Sequence, residues 1–434
     1  MAETDTDPSD QFDARISHAK LNEGLPGLWG RYRKLPRNVF AISLVSLLND
    51  VSSEIIYPLL PIFLTSTLGA SAKAIGFIEG SAESISSLLK LFAGYLSDRL
   101  RRRKMLVVFG YALAGFVRPL LGFAHNWQQV LAIRLTDRVG KGVRTAPRDA
   151  MIADAAIPQQ RGIAFGFHRA MDHAGAVIGP LIGYALVLFL ATNASSPSGG
   201  EFSRIFLLAT IPALLAVIVA IFFMRETHVP AQTAPQVPRL SLKGFDSNFK
   251  KFLLVLGLFT LSNSSDSFLI LRARDAGVPI VVIPLLWALH HASKVVSSLL
   301  GGDLSDRLGR KRLIVSGWIL YAAVYGGFAF ATTGISMWAL FVIYGIYFGL
   351  AEGAEKALVA DLVRPDQRGT AYGLYNLALG LTVFPASLLM GTIWDWKGPT
   401  TAFLVSATMG TLAAVLLVVF VKTQRKDESS VTEN

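Results

Sequence analysis

Cysteine is absent from the 434 residues, which excludes disulfides, thiolate metal sites and thiol catalysis. Charge is scarce: Asp, Glu, Lys and Arg make up 16% of the chain against 52% hydrophobic residues. No Gly-x-x-x-x-Gly-Lys-Ser/Thr phosphate loop occurs, which argues against direct drive by ATP, and no Ser/His/Asp arrangement stands out. The adjacent His290 and His291 have no acid or cysteine at ligand spacing, a weak metal signal. The expectation is therefore a protein that is not an enzyme, without catalytic residues, metal or cofactor. Residues 1 to about 24 are polar with acids first, and lack the charged-then-apolar order of a signal peptide.

What is present is apolar sequence in long runs from Val39 to Val421. A membrane-crossing helix needs about 20 apolar residues. The runs divide into twelve such segments, at 39–64, 73–97, 105–124, 127–150, 162–191, 203–224, 251–272, 280–302, 312–331, 336–360, 369–391 and 399–421. The fold class expected is an all-α membrane protein with a lipid bilayer as its surroundings. The net charge of +11 is concentrated in particular loops, so no nucleic-acid partner is inferred from it. Arg99, Arg101, Arg102, Arg103 and Lys104 crowd one loop, and Arg307, Arg310, Lys311 and Arg312 another. The alternate loops at 124–127 and 332–337 carry neither lysine nor arginine. By the positive-inside rule the basic loops are cytoplasmic, and an even number of crossings puts both termini there too, in a cytoplasmic (inner or plasma) membrane. Residues 20–37 suit either an interfacial segment or a plain linker.

The two halves of the sequence repeat. GYLSDRLRRRKMLVV from Gly94 returns as GDLSDRLGRKRLIVS from Gly302, and PQQRGIAFG from Pro158 returns as PDQRGTAYG from Pro365. Asp98 to Asp306 is a step of 208 and Pro158 to Pro365 a step of 207. Matched landmarks at one spacing indicate duplication of a six-helix unit. Both copies start on the same side, which predicts two bundles related by a parallel pseudo-two-fold axis. The organisation expected is a tail at 1–37, a first bundle at 38–224, a cytoplasmic linker at 225–250, a second bundle at 251–423 and a tail at 424–434.

These motifs resemble the major facilitator superfamily over residues 38–423. Its loop motif G-x-L-[AS]-D-R-x-G-R-[KR] is matched by Gly302, Leu304, Ser305, Asp306, Arg307, Gly309, Arg310 and Lys311. The first copy has Gly94, Asp98, Arg99 and Arg102, with Arg101 where glycine is usual. In that family such loops clamp neighbouring helix ends, so the resemblance implies a gating role for them, with Asp149 and Asp154 as candidate partners of Arg99 or Arg102. The fifth segment, from Gly175 through Gly179 and Pro180 to Gly183, resembles the G-x-x-x-G-P-x-x-G signature of the drug:proton antiporter branch, with Tyr184 replacing its last glycine. Glycines at this spacing allow close helix approach, and Pro180 removes a backbone donor, so the segment reads as a packing seam and hinge.

The fourth segment is the most charged. On a helix, Arg134, Asp137, Arg138, Lys141, Arg144 and Arg148 share one face. Each cation facing lipid costs about 2.5–3.5 kcal/mol on insertion scales, so the face is expected to border a solvated vestibule. In the first segment Asp50, Glu54 and Tyr57 share a face. Counting about 1.5 Å per residue puts Glu54 level with Arg134, and Asp50 level with Arg138. Such pairs would tie carboxylate protonation to whatever else occupies the arginines; a permanent ion pair locking two helices is the competing reading. Asp137 and Asp172 join Asp50 and Glu54 as proton-coupling candidates. Glu79 and Glu83 of the second segment, Asp266 of the seventh, Trp287, His290, His291 and Lys294 of the eighth, and Tyr344, Phe348 and Glu352 of the tenth are cavity candidates, with helix packing as the alternative for each.

The function expected is a secondary active transporter working by alternating access, a proton-coupled exporter of small organic compounds acting as a monomer, with protons and a small-molecule substrate as partners. The cation-rich fourth segment points to an anionic or zwitterionic solute. Proton-symport import of an organic anion, and a non-transporting scaffold or sensor, are the alternatives.

Overall fold

The computed structural model describes residues 35–100, 102–157, 160–227, 241–364 and 367–422. Among them every regular element is a helix: α1 Arg37–Ile56, α2 Leu60–Ser66, α3 Ala72–Leu100, α4 Arg103–Val117, α5 Trp127–Ala155, α6 Arg161–Leu190, α7 Gly199–Leu208, α8 Thr210–Phe222, α9 Ser247–Ser262, α10 Ser267–Asp275, α11 Ile283–Leu308, α12 Arg310–Phe330, α13 Gly334–Asp361, α14 Arg368–Lys397 and α15 Pro399–Phe420. Short 3-10 turns extend α4 through Arg118–Phe123 and precede α11 at Ile280–Val282.

Several apolar runs are interrupted where the sequence alone suggested continuous rods. Pro58 has no N–H to offer the carbonyl of Glu54, and α1 stops at Ile56 before α2 resumes the same run. Pro212 likewise separates α7 from α8. Between α9 and α10 the chain leaves helical geometry at Asn263, with ψ 88°, which turns Asn263–Asp266 into an irregular segment at mid-span. The helix α9 begins at Ser247, inside the stretch expected as linker; the rest of that linker at 228–240, both tails beyond 35 and 422, and most of the possible interfacial segment lie outside the described residues.

Among the described residues, ten helical stretches are long and apolar enough to cross a membrane. The two long helices outside that set, α3 and α5, are the ones that carry the charged faces. Large apolar side chains point outward around the molecule, among them Phe116, Phe189, Phe222, Leu254 and Phe330. In water such a belt would be unsupportable, and in lipid it costs nothing. The protein is an integral membrane protein.

The packing of the first half recurs in the second. In the first, α1 packs on α6 and α8, and α5 packs on α3 and α4; in the second, α9 packs on α14 and α15, and α13 packs on α11 and α12. Two long seams join the halves, α3 along α14 and α6 along α11. Gly175 and Gly179 of α6 face α1: a Cβ at Gly179 would lie 2.8 Å from the Val51 carbonyl oxygen. Only glycine permits that approach. The helix runs unbroken past Pro180.

The basic ends of the halves are built alike. Arg103 at the start of α4 forms an ion pair with Asp154 at the end of α5, and Arg310 at the start of α12 forms one with Asp361 at the end of α13. From 103 to 310 and from 154 to 361 are both steps of 207. In this conformation the aspartates at the end of α5 meet other arginines than Arg99 and Arg102: Asp154 takes Arg103, and Asp149 takes its neighbour Arg148 at 2.9 Å. Arg99 and Arg102 are exposed, as is Arg307, and Gly94 is half-buried; the side chains of Asp98, Gly302 and Asp306 lie outside the described residues. Gly309 has φ +87°, a left-handed turn between α11 and α12 that L side chains rarely adopt.

Candidate functional site

The charged face of α5 folds inward. Asn126 caps the helix through its side chain, and from there the face meets α3 and α4. Arg134, 7% exposed, holds Glu79 of α3 with two hydrogen bonds of 3.0 and 2.6 Å. Asp137, 2% exposed, accepts from Arg118 at 2.8 Å. Pro119 tightens the end of α4 into a 3-10 turn at Arg118, whose guanidinium also donates to the Asn49 carbonyl of α1 at 3.1 Å. Arg118 thereby ties three helices together. Lower on the same face, Arg144 stacks over the Tyr111 ring at 4.4 Å and Arg148 donates to Ser46 at 3.1 Å.

Neither pair expected from the depth arithmetic forms. Arg134 belongs to Glu79, and Arg138 lies 3.7 Å from Glu83 and 3.6 Å from Asp137. Depth along the membrane normal says nothing about azimuth, and α5 packs mainly on α3 and α4 with few contacts to α1. The cationic face is thus chiefly a buried helix interface rather than the wall of a vestibule. Arg138 reaches the central cavity, and Lys141 is half-buried, 3.9 Å from Glu83.

Glu54 instead faces the other half of the molecule. The Trp287 indole of α11 donates to it at 2.9 Å, and His291 Nε2 lies 3.8 Å away. Asp50 accepts from Asn49 at 3.0 Å and sits against Gly175 of α6. Asp172, one turn from Gly175, lies 3.5 Å from His168. Of the four proton-coupling candidates, Asp137 is held by arginines, while among the described residues Asp50, Glu54 and Asp172 have no arginine or lysine within 4 Å.

A cavity of about 470 Å³ lies between the halves. Tyr57, Glu79, Glu83 and Arg138 contribute from the first half, and Asp266, Lys294, Tyr344, Phe348 and Glu352 from the second. Arg134, Lys141, Trp287, His290 and His291 are not on its wall. His290 is buried, stacked on Tyr344 with ring centroids 5.2 Å apart. The cavity also takes residues that sequence reasoning passed over, Tyr347, Tyr375, Asn376 and Ser387, whose helical phase is ordinary for packing. Arg118 was missed as well, although a lone arginine beside a proline near the end of an apolar run was a usable signal.

The cavity reaches Lys90, Lys356 and Asn376 toward the basic loops. On the other side the halves are stitched: Trp287 to Glu54, Arg274 to Thr65 at 2.6 Å, and the backbone N–H groups of Ala72 and Lys73 to the Asp395 carboxylate at 3.0 and 2.8 Å. The last contact caps the N-terminus of α3 from the other half.

Known proteins share this architecture. The family model of the Major Facilitator Superfamily matches residues 42–351 and again 252–434. An uncharacterized MFS-type transporter of Methanocaldococcus jannaschii is 36% identical over 392 residues, covering 89% of this chain and 95% of the relative. The multidrug resistance protein MdtH of Aeromonas salmonicida is 25% identical over 401 residues, covering 89% and 96%. Among solved structures, the nucleoside transporter NupG (D323A mutant) superposes with a TM-score of 0.75 at 13% identity, covering 88% of this chain and 100% of that one. A bacterial homolog of the human lysosomal transporter Spinster, inward-facing and occupied, gives 0.69 at 17% identity, covering 89% and 96%. Helices that repeat their packing in two halves around a shared cavity, together with these matches, identify the chain as a member of the Major Facilitator Superfamily.

Proposed function

We propose that this secondary transporter is a proton-coupled exporter of small organic compounds. It crosses the membrane twelve times in two bundles related by a two-fold axis along the normal, with the basic loops and both termini in the cytoplasm. The two bundles rock around the central cavity, and α6, with Pro180 beside the glycine seam, is the hinge. The conformation described, with its cavity running toward the basic loops, is then cytoplasm-open.

The observation that carries proton coupling is the place of Glu54. Its carboxyl group bridges α1 to α11 through Trp287, with a histidine nearby and no lysine or arginine within 4 Å among the described residues. A group that must part from its indole partner when the bundles rock has different neighbours in each state, so proton affinity and conformation are linked. Asp50 and Asp172 along the α1–α6 seam extend a line of carboxyl groups from Glu54 toward the basic end. Export is supported by the multidrug resistance relative.

The test starts from a thermal-shift screen of purified protein against a small-organic library, followed by uptake of the hit into inverted vesicles. Uptake driven by an inside-acid gradient, and reduced by about tenfold or more in Glu54→Gln with folding retained, is the expected result. Uptake driven by outside acid would instead establish symport, and uptake indifferent to the gradient would remove the proton.

A further inference from the structure

The cations of α5 were the reason to expect a negatively charged group in the cavity, and the folded protein spends them on its own carboxylates. Arg134 is taken by Glu79, and Arg138 and Lys141 lie within 4 Å of Glu83. On the second half's wall Glu352 pairs with Lys356 at 3.0 Å, and Glu355 accepts from Trp318 and Tyr375. Lys90, on α3, stands at the basic end of the cavity.

Two opposite charges on one wall, Lys294 and Asp266, form no ion pair within 4 Å among the described residues. Lys294 Nζ lies 3.8 Å over the Phe348 ring, and no carboxylate among the described residues comes within 4 Å of it. Asp266 Oδ1 accepts from the Tyr344 hydroxyl at 2.8 Å; among the described residues no side-chain donor reaches Oδ2 and no cation lies within 4 Å. The break between α9 and α10 exposes a polar strip beside Asp266. There Asn263 spends its Nδ2 on Tyr347 at 3.3 Å, leaving its oxygen as an acceptor, and Ser264, 5% exposed, lies on the cavity wall with no hydrogen bond at good geometry to its Oγ among the described residues.

The rings that the two charges contact are one helical turn apart. Asp266 is fixed to Tyr344, Lys294 lies on Phe348, and these rings are neighbours on α13, four residues or about 6 Å along the helix. Between them is an aromatic surface, with Tyr57, Phe259 and Tyr347 around it. From this we infer that the cavity binds a small zwitterion with a flat apolar body, its anionic end on Lys294 and its cationic end on Asp266 and Asn263. A single-charge ligand leaves one of the two protein charges uncompensated in a low-dielectric site, whereas a zwitterion compensates both without changing the net charge. The aromatic wall adds apolar burial and cation–π attraction for an ammonium group. The volume falls in the range of small-molecule sites.

The inference rests on the transporter reading, but its test needs no gradient. Purified full-length protein in nanodiscs at neutral pH is titrated with four matched probes: 4-(aminomethyl)benzoate, 4-methylbenzoate, 4-methylbenzylamine and 4-methylbenzyl alcohol. The zwitterion should bind about tenfold or more tightly than any of the other three. Lys294→Gln should lower it to the level of the amine and Asp266→Asn to that of the benzoate. Lys294→Arg and Asp266→Glu should keep the preference, which separates lost recognition from lost folding. Equal affinity for zwitterion and benzoate, a preference untouched by both neutralising variants, or no binding of any probe at millimolar concentration overturns the inference. Zwitterion preference without gradient-driven flux would instead leave this site standing and remove the proton-coupled export.

Discussion

The two halves share a packing plan and differ in what fills it. In the first half, Arg118 at the end of α4 grips Asp137 of α5 at 2.8 Å. A step of 207 along the chain leads from Arg118 to Tyr325 and from Asp137 to Tyr344, whose rings lie 6.0 Å apart. The same junction is thus an ion pair in one bundle and an aromatic contact in the other. Around it Arg134 and Glu79 extend the charged side, while Tyr321, Tyr347 and Trp318 extend the aromatic side. The difference teaches that helix packing and site chemistry are separable: one frame accepts a rigid polar core and an adaptable aromatic one. In a bilayer the polar core specifies which helices meet, because each charge has few places to be satisfied.

The comparison breaks most easily at Arg118. Arg118→Met removes the hydrogen-bond donor to Asp137 Oδ1, leaving Arg138 at 3.6 Å and Arg134 at 4.0 Å, and should cost about 3 kcal/mol, read as a large fall in thermal unfolding temperature in detergent. Pairing it with Asp137→Leu should recover most of that loss, since an apolar pair needs no partner. A single variant as stable as wild type would mean that the ion pair is ornamental. The glycine seam comes next: Gly179→Ala puts a Cβ 2.8 Å from the Val51 carbonyl and should cost about 1–3 kcal/mol, although the residue one step of 207 later is already Ala386. Unchanged stability there would show that α1 and α6 have room to separate.

Smaller effects sharpen the likeness rather than the difference. Arg103→Gln should destabilise by about 1 kcal/mol and Arg310→Gln by roughly half that, because the Arg103 side chain is 10% exposed and the Arg310 side chain 30%. Reversed order would sever the correspondence between the two basic ends. Smallest of all, Tyr325→Phe should leave stability unchanged or slightly raised, since among the described residues its buried hydroxyl has no hydrogen-bond partner at good geometry. A loss near that of Arg118→Met would mean that the aromatic junction is as specific as the ionic one.

Much of the frame was legible beforehand. The apolar runs located the helices, the repeated proline motif gave the step of 207 that the Arg103–Asp154 and Arg310–Asp361 pairs reproduce, and the glycines at 175 and 179 marked a close helix contact. The breaks at Pro58 and Pro212 could have been read from the prolines; the break at Asn263 could not, because no residue there forbids a helix. The site was legible only as a list of polar residues on helical faces. Glu54 was assigned to Arg134 because both sit at one depth, and the fold gave it Trp287 instead.

Composition and periodicity settle which residues must leave water and which side of a helix each occupies, because those are properties of one helix in one solvent. Partner choice is a different kind of question. Whether an arginine meets a neighbouring carboxylate, a ring or an open cavity depends on how helices distant in sequence rotate against each other, and that rotation is set by close contacts such as the glycine seam. Tertiary structure alone therefore decided that the cations of α5 meet carboxylates of α3 and α5, and that Lys294 and Asp266 line the cavity without an ion pair within 4 Å among the described residues.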